Sequence, residues 1–166
     1  MKKALEALNG LERDGVIGRY AIGGAMGATF YVEPFTTFDL DVFVVLPEAG
    51  GLVTLAPLYQ ELSKRGYPAK DECVMIAGIP VQFLPAGTPL LDEALAQARE
   101  VPYEDVMTRV FSPEHLVAVA VQAGRAKDRQ RVQMFLDAGV LDRARLDDIL
   151  KRHGWLEKFS QWTRSP

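Results

Sequence analysis

The sequence is poor in the residues that build disulfides and soft-metal sites. It contains one cysteine, Cys73, and two histidines, His115 and His153, among 166 residues. A single cysteine forms no intramolecular disulfide, which is typical of a protein from a reducing cytoplasm. So few thiols and imidazoles exclude a metal centre built mainly on cysteine and histidine. Any metal chemistry must therefore use oxygen ligands, which carboxylates supply.

Long apolar runs and a large net charge are also missing. No apolar stretch approaches the ~20 residues that a membrane helix needs, and the charged residues 1–6 predict no signal peptide. We therefore expect a cytoplasmic protein without a membrane partner. The formal charge of -3 creates no overall field that would attract nucleic acid. With 48% hydrophobic and 25% charged residues, the composition is that of a globular protein.

Hydrophobic spacing and turn residues predict an α/β chain that becomes helical near Ser112. Helices are predicted over residues 2–14, 25–29, 52–64, 90–99, 112–123, 127–136, 142–154 and 155–162. Strands are predicted over residues 19–22, 38–46, 73–77 and 81–84, with some strand character in 101–111. We expect a small mixed sheet flanked by helices, with an α/β core over residues 1–111 and a helical C-terminal part over 112–166.

The predicted strand over residues 38–46 is apolar except for two acids, Asp39 and Asp41. Residues i and i+2 of a strand point to the same face, so the two carboxylates would repel each other and be poorly solvated. A divalent cation relieves both costs, and Mg²⁺ is held by one or two carboxylates together with substrate phosphates. A strand with one face in solvent would accommodate the same pair.

Two adjacent glycines, Gly23 and Gly24, separate a short predicted strand from a helix of small residues. Glycine permits a tight turn and a close approach of backbone N–H groups to a phosphate, and a helix N-terminus favours an anion. A simple tight turn explains the pair as well. The segment is not a Walker P-loop, because no Gly-Lys-Ser/Thr follows. It is not a dinucleotide-binding fingerprint either, because no third glycine has the required spacing.

The Gly23-Gly24 turn and residues 37–44 together resemble the nucleotidyltransferase superfamily, which has the fold of DNA polymerase β. Residues 123–128, Ala-Gly-Arg-Ala-Lys-Asp, resemble a helical element of the AbiEii-type toxin nucleotidyltransferases. The resemblance spans about residues 19–136. It implies a nucleotidyltransferase fold, a nucleoside triphosphate such as ATP as substrate, and Mg²⁺ or Mn²⁺ as cofactor.

The resemblance also implies individual roles for the motif residues. Asp39 and Asp41 would be the catalytic carboxylates that hold the metal ion. The implied nucleotide-binding residues are Gly23, Gly24, Thr37, Arg125, Lys127 and Asp128. The two glycines would cradle the β- and γ-phosphates, Arg125 or Lys127 would neutralise the triphosphate, and Asp128 would orient Lys127.

Several positions depart from the superfamily pattern. Gln82 stands where a third carboxylate is expected, and an amide cannot replace a carboxylate as a base or as a strong Mg²⁺ ligand. Asp71 and Glu72, which we place on the preceding strand, are the alternative sources of that carboxylate. Relatives often carry a lysine, an acid and an arginine where this chain has Ala120, Arg131 and Phe35.

Two functions of different classes stay open. The first is an Mg²⁺-dependent nucleotidyltransferase that moves an NMP onto a hydroxyl of a protein, an RNA or a small molecule, with an incomplete set of catalytic acids. The alternative is a catalytically inactive binding module of the same fold in a toxin–antitoxin or phage-defence system. An antitoxin-like partner or a homodimer would complete the site, because the chain has little room for an acceptor-recognition domain.

Other residues have predicted structural roles. Cys73 lies on an apolar strand and is predicted to be buried and unreactive. His115, in the first turn of a helix, is predicted to lie at the surface or to cap the helix. Trp155, Phe159 and Trp162 recur at near-helical spacing, which favours a terminal helix packed on the core or a dimer contact.

Overall fold

The computed structural model describes residues 1–33, 37, 39–47 and 54–164. Within them, the helices are α1 (Lys2–Arg13), α2 (Gly24–Ala28), α3 (Ala56–Lys64), α4 (Pro89–Ala96), α5 (Pro113–Ala123), α6 (Ala126–Ala138), α7 (Arg143–Arg152) and α8 (Leu156–Thr163). The strands are β1 (Tyr20–Ile22), β2 (Leu40–Val44), β3 (Ala69–Lys70), β4 (Cys73–Ile76), β5 (Ile79–Pro85), β6 (Arg99–Tyr103) and β7 (Val106–Val110). None of these helices has the length and apolar character that a bilayer crossing requires.

The strands form one mixed sheet in the order β3-β4-β5-β2-β1-β7-β6. The central strand β2 pairs in parallel with β5 and antiparallel with β1, and β1 pairs in parallel with β7. Two antiparallel hairpins, β4–β5 and β6–β7, complete the two sides of the sheet. The predicted architecture of a mixed sheet with flanking helices is therefore confirmed.

Alternation along β2 decides which of its side chains can reach the functional site. Leu40, Val42 and Val44 are fully buried in one hydrophobic cluster, together with apolar residues of α1. Phe43 belongs to a second cluster, which contains Leu116 and other residues of α5. Because successive strand residues point to opposite faces, Asp41 projects with Phe43 toward the face that α5 covers.

Some element boundaries differ from the predicted ones. Helix α4 ends at Ala96, and Arg99, predicted in that helix, opens strand β6. The mixed segment over residues 101–111 is mostly a hairpin, because β-branched residues alternate along β7 and suit a half-buried strand. The predicted starts of β2 at Phe38 and of α3 at residues 52–53 lie outside the described residues, as does Phe35.

The prediction that Asp71 and Glu72 lie on a strand is wrong. Both occupy the tight turn between β3 and β4, where Asp71 has a φ of 55°. Aspartate tolerates this left-handed conformation better than most residues, because its short polar side chain bonds to nearby backbone. The turn carries Glu72 away from the β3–β4 ladder and leaves its side chain exposed.

The first helix of the C-terminal part begins and ends where the sequence predicts. The Ser112 hydroxyl accepts a hydrogen bond from the His115 amide, and Pro113 occupies the first turn of α5. Gly124 ends the helix with a left-handed φ of 76°.

A buried polar network ties α4 to α5 and α7, and it corrects the surface role predicted for His115. His115 is fully buried, with Nδ1 2.9 Å from Ser112 Oγ and Nε2 3.3 Å from Glu93 Oε1. His153 Nε2 lies 2.8 Å from Glu93 Oε2, and Arg152 donates to the same carboxylate. Burial lowers the pKa of His115, whereas the hydrogen bond from Arg152 lowers the pKa of Glu93.

Both shifts predict that acid destabilises the fold. Each group binds a proton more weakly in the folded state, so the unfolded state takes up protons first and the free energy of unfolding falls as pH falls. The loss begins below the ordinary histidine pKa of 6.5 for His115 and below 4.5 for Glu93. Urea unfolding between pH 4 and 8 measures this dependence. His115→Gln should flatten the slope between pH 5 and 7, and an unchanged slope would contradict the assignment to His115.

Candidate functional site

A cleft of about 380 Å³ opens on the α5-covered face of the sheet, between strands β2 and β5 and the start of α6. Most of the residues predicted from the sequence line it: Gly24, Asp39, Asp41, Arg125, Lys127 and Asp128. The two motifs, separated by more than eighty residues in the sequence, therefore meet in one place. Gly23 and Thr37 are not part of this lining, but each donates a hydrogen bond to one of its two aspartates.

Asp41 is positioned by a very close approach of β2 to α2. Gly24 has a φ of 56°, and a Cβ placed there would lie 1.6 Å from Asp41 Oδ2. The Gly23 amide donates to the Asp41 carbonyl at 3.0 Å, so that N–H is already engaged within the protein. A Cβ on Gly23 would lie 2.4 Å from the Phe43 ring. The glycine pair thus makes room for a carboxylate and an aromatic ring, and Gly24 is the member that lines the cleft.

The two carboxylates lie close together without a direct ion-pair partner among the described residues. Asp39 accepts a hydrogen bond from the Thr37 hydroxyl at 3.4 Å, and neither Asp39 nor Asp41 forms an ion pair within the described part of the chain. Burial raises the pKa of Asp41, and the negative charge of Asp39 raises it further. Positive charges on Arg131, Arg125 and Lys127 oppose this rise. A bound cation would relieve the same cost.

Mg²⁺ fits this set of ligands. Among residues 1–33, 37, 39–47 and 54–164, no three His, Cys, Asp or Glu side chains are close enough together to hold a metal ion. A metal in the cleft would therefore have Asp39 and Asp41 as protein ligands and would need oxygen atoms from a substrate or from water. Mg²⁺ is commonly bound in this way, through one or two carboxylates plus substrate phosphates.

Asp128 organises the cationic wall of the cleft. It is fully buried and accepts hydrogen bonds from the Arg125 amide at 3.2 Å, from Arg125 Nε at 2.7 Å and from Arg131 Nη1 at 3.2 Å. The predicted role of orienting Lys127 is not seen, because no hydrogen bond or ion pair joins the two residues in the described structure. Lys127 lines the cleft without an ion-pair partner among the described residues, so its charge is available to an anionic ligand.

The opposite wall contains Gln82 and Glu72. Gln82 lies beside Asp41 in the parallel register of β2 and β5 and lines the cleft. Its side-chain amide donates to Glu72 Oε2 at 3.5 Å, which brings the β3–β4 turn to the edge of the site. Glu72 has no cationic partner in the described residues. Asp71, the other candidate acid, does not line the cleft.

The contact between Arg131 and Asp128 was missed by sequence reasoning. Arg131 also opposes the pKa rise of Asp41. The i,i+3 spacing of residues 128 and 131 is a signal that would have indicated this contact. Cys73 is half-buried rather than buried, and its pKa is raised by burial and by the nearby Asp39. A raised pKa keeps the thiol protonated and supports the predicted lack of reactivity.

A second cavity, of about 370 Å³ beside α1 and β7, has a different character. Its charged groups compensate one another, because Arg109 Nη1 contacts both carboxylate oxygens of Glu12, at 2.9 and 3.0 Å. The Tyr20 hydroxyl donates to Asn9 Oδ1 at 2.6 Å and lies 3.2 Å from Thr108 Oγ1. The charged groups without ion-pair partners among the described residues, Asp39, Asp41 and Lys127, therefore lie in the cleft and not in this cavity.

Neither a protein-family profile nor a curated protein sequence matches this chain. Solved structures do match. An antigenic nucleotidyltransferase-like protein from Paracoccidioides brasiliensis has a TM-score of 0.59 at 13% identity, over 96% of this chain and 91% of that one. The solution structure of the antibiotic-resistance factor ANT(2'')-Ia has a TM-score of 0.54 at 13% identity, over 95% of both chains. A crystal structure of ANT(2'')-Ia with adenylyl-2''-tobramycin has a TM-score of 0.57 at 15% identity, over 95% of both chains.

Likeness at such low identity establishes the fold. The chain has the fold of nucleotidyltransferase-like proteins, as the Gly23-Gly24 turn and the two aspartates predict. The finer resemblance to AbiEii-type toxins, carried by residues 123–128, stays a prediction.

Gly24→Ala should disrupt the site more than strain alone would. The new Cβ would overlap the Asp41 carboxylate, so α2 or β2 must move, and we expect stability to fall by about 1–3 kcal/mol. Gly78→Ala is the matched control, because Gly78 has a φ of 82° but nothing within 4 Å of the new Cβ. Thermal unfolding compares the two. Equal losses of stability would contradict a specific clash at Gly24.

Proposed function

We propose that this protein is an Mg²⁺-dependent nucleotidyltransferase that moves a nucleoside monophosphate from a triphosphate onto an acceptor hydroxyl. The observation that carries the proposal is one cleft in which Asp39 and Asp41, without ion-pair partners among the described residues, face the cationic start of α6. The similar structure of ANT(2'')-Ia with adenylyl-2''-tobramycin supports it, because that ligand is a nucleotidylated acceptor.

Asp39 and Asp41 would hold Mg²⁺, or Mn²⁺ in its place. When bound, the ion would neutralise charge on the triphosphate and polarise the α-phosphate. The close approach of Gly24 to Asp41 packs the backbone of α2 against this half-buried carboxylate and would hold it in place to bind a cation. This preorganisation supports a metal site more strongly than the presence of two acids alone.

The cationic wall would bind the triphosphate. Lys127 has no ion-pair partner among the described residues and would neutralise phosphate oxygens directly. Arg125 is held by Asp128, so its guanidinium would contribute charge from a fixed position. The acceptor oxygen would attack the α-phosphorus in line, the bond to the β-phosphate oxygen would break, and pyrophosphate would leave with the bonding electrons.

The hydroxyl proton of the acceptor needs a base, and we assign this role to Glu72. Asp128 is engaged by two arginines, whereas Glu72 lines the cleft and has no cationic partner in the described residues. Its distance from the aspartate pair excludes a three-carboxylate metal site, so it would act as a proton acceptor and not as a metal ligand.

A second candidate is a nucleotide-binding module without transferase activity, such as a component of a toxin–antitoxin or phage-defence system. The observation that favours it is Gln82, which lies beside Asp41 in the β2–β5 register where the resemblance implies a third carboxylate. An amide at this position neither ligates Mg²⁺ strongly nor accepts a proton. Both candidates predict that the protein binds a nucleoside triphosphate, and only the first predicts that it transfers the nucleoside monophosphate to an acceptor.

Transfer can be tested with each α-labelled NTP, Mg²⁺ or Mn²⁺, and an acceptor supplied as cell lysate, bulk RNA or an aminoglycoside. We expect label on one acceptor class with the wild-type protein. Replacing Asp39 and Asp41 by Asn should lower metal-dependent NTP binding and transfer by at least about a hundredfold. Asp71→Asn is the matched control, because Asp71 lies outside the cleft. Equal NTP binding with and without the two carboxylates would overturn the metal site.

Glu72→Gln tests whether Glu72 is the base of the proposed transfer reaction. It preserves shape and removes the base, so we expect unchanged NTP affinity and transfer slower by about 10²–10⁴-fold. Single-turnover rates and binding constants measured on the same preparation give both values. Transfer at the wild-type rate would exclude Glu72 as the base, and NTP binding without transfer to any acceptor by the wild type would favour the binding module.

A further inference from the structure

We propose that Lys158, in the C-terminal helix, is a positioning residue for the cationic wall of the cleft; this inference rests on the proposed function. The ammonium of Lys158 lies between two indole rings, 5.3 Å from the ring centroid of Trp155 and 5.4 Å from that of Trp162. It also donates a hydrogen bond to the Gln122 carbonyl at 3.4 Å. Lys158 itself does not line the cleft.

Lys158 touches the corner from which the cationic wall starts. Helix α5 ends at Ala123, Gly124 turns the chain with a φ of 76°, and Arg125 caps α6. A Cβ on Gly124 would lie 2.5 Å from Lys158 Nζ, so the ammonium is packed directly against this corner. The next residues along the chain are Arg125 and the first turn of α6, which carries Lys127.

Helix α8 contacts α6 at further points. Arg129 Nη2 donates to the Trp162 carbonyl at 3.4 Å. Phe159 is fully buried in the same hydrophobic cluster as Val132 and Phe135 of α6. The C-terminal helix therefore meets α6 near its first turns, through Arg129, and Lys158 packs against the corner from which α6 starts.

The positive charge of Lys158, and not only its volume, supports this arrangement. A cation is attracted to the face of an indole ring, and the carbonyls at the end of α5 carry the partial negative charge of the helix C-terminus. A neutral side chain of similar length would keep the packing and lose both attractions. Arginine would keep the charge and the ring contacts.

The consequence is a specific effect on triphosphate affinity. If the Gly124 corner shifts, Arg125 and Lys127 move relative to the aspartates, while the contact between Gly24 and Asp41 stays intact. Even a small displacement of charged groups weakens binding of a highly charged ligand. Because the chain contains 2 tryptophans and both contact Lys158, its intrinsic fluorescence reports on this corner.

The test uses Lys158→Met in the full chain, with inorganic tripolyphosphate plus Mg²⁺ as the probe, which removes any dependence on the base. We expect the Kd to rise about tenfold at 25 °C, equivalent to ~1.4 kcal/mol. Lys158→Arg should restore most of the affinity. Lys151→Met is the matched control, because Lys151 is an exposed lysine of α7. Tripolyphosphate should also change the tryptophan emission of the wild type and not that of Lys158→Met.

Circular dichroism and thermal unfolding establish whether each variant is folded at the temperature of the binding measurement. If Lys158→Met does not fold, Gly124→Ala disturbs the same corner by displacing Nζ, and the same tenfold rise is expected. If Lys158→Met is folded and binds tripolyphosphate with the wild-type Kd, the role of Lys158 is overturned and the proposed function is not affected. Absence of Mg²⁺-dependent tripolyphosphate and NTP binding by the wild type overturns the proposed function and the inference with it.

Discussion

The candidate site depends on one close contact, in which the Asp41 carboxylate lies against the backbone of Gly24. No side chain can be added at Gly24, because its Cβ would lie 1.6 Å from Asp41 Oδ2. This contact joins helix α2 to the central strand β2, and the Gly23 amide reinforces it through the Asp41 carbonyl. It holds a half-buried carboxylate, whose pKa is raised by the loss of solvent and by the nearby Asp39. The fold thereby maintains a charge that water alone would stabilise better, which is typical of a site built for a ligand.

The rest of the cleft is organised around that charge. Asp128, itself buried, holds Arg125 and Arg131 and so keeps two cations near Asp41 without pairing them to it. Lys127 extends the positive wall. The cleft thus separates charge over a short distance, with carboxylates on the sheet and cations on α6. A metal ion would bind to the carboxylates and a polyphosphate to the cations, so this separation of charge would allow the cleft to hold both ligands of the proposed reaction at the same time.

Contacts far from the cleft keep this separation in place. The network of Glu93, His115 and His153 fixes α4 and α7 against α5. Helix α8 then closes over the end of α5, where Lys158 meets Gly124. Because α5 also packs against α2, the helices that carry the cationic wall and the helix that supports Asp41 form one connected layer. A change in the C-terminal helix is therefore transmitted to the site by packing and hydrogen bonds rather than by direct contact.

Local chemistry allowed much to be predicted from the sequence. Four features depend on residues that are close together in the chain, so their spacing is enough to predict them. They are the Ser112 cap of α5, the end of α5 at Gly124, the Gly23-Gly24 turn and the aspartate pair. The sequence did not place Glu72 beside Gln82, pair Asp128 with Arg131 or bring Lys158 to Gly124. The approach of Glu72 depends on the register of three strands, and Lys158 contacts a residue more than thirty positions away. Such contacts arise only when helices and strands pack together, because packing decides which distant side chains become neighbours. No local sequence pattern contains this information.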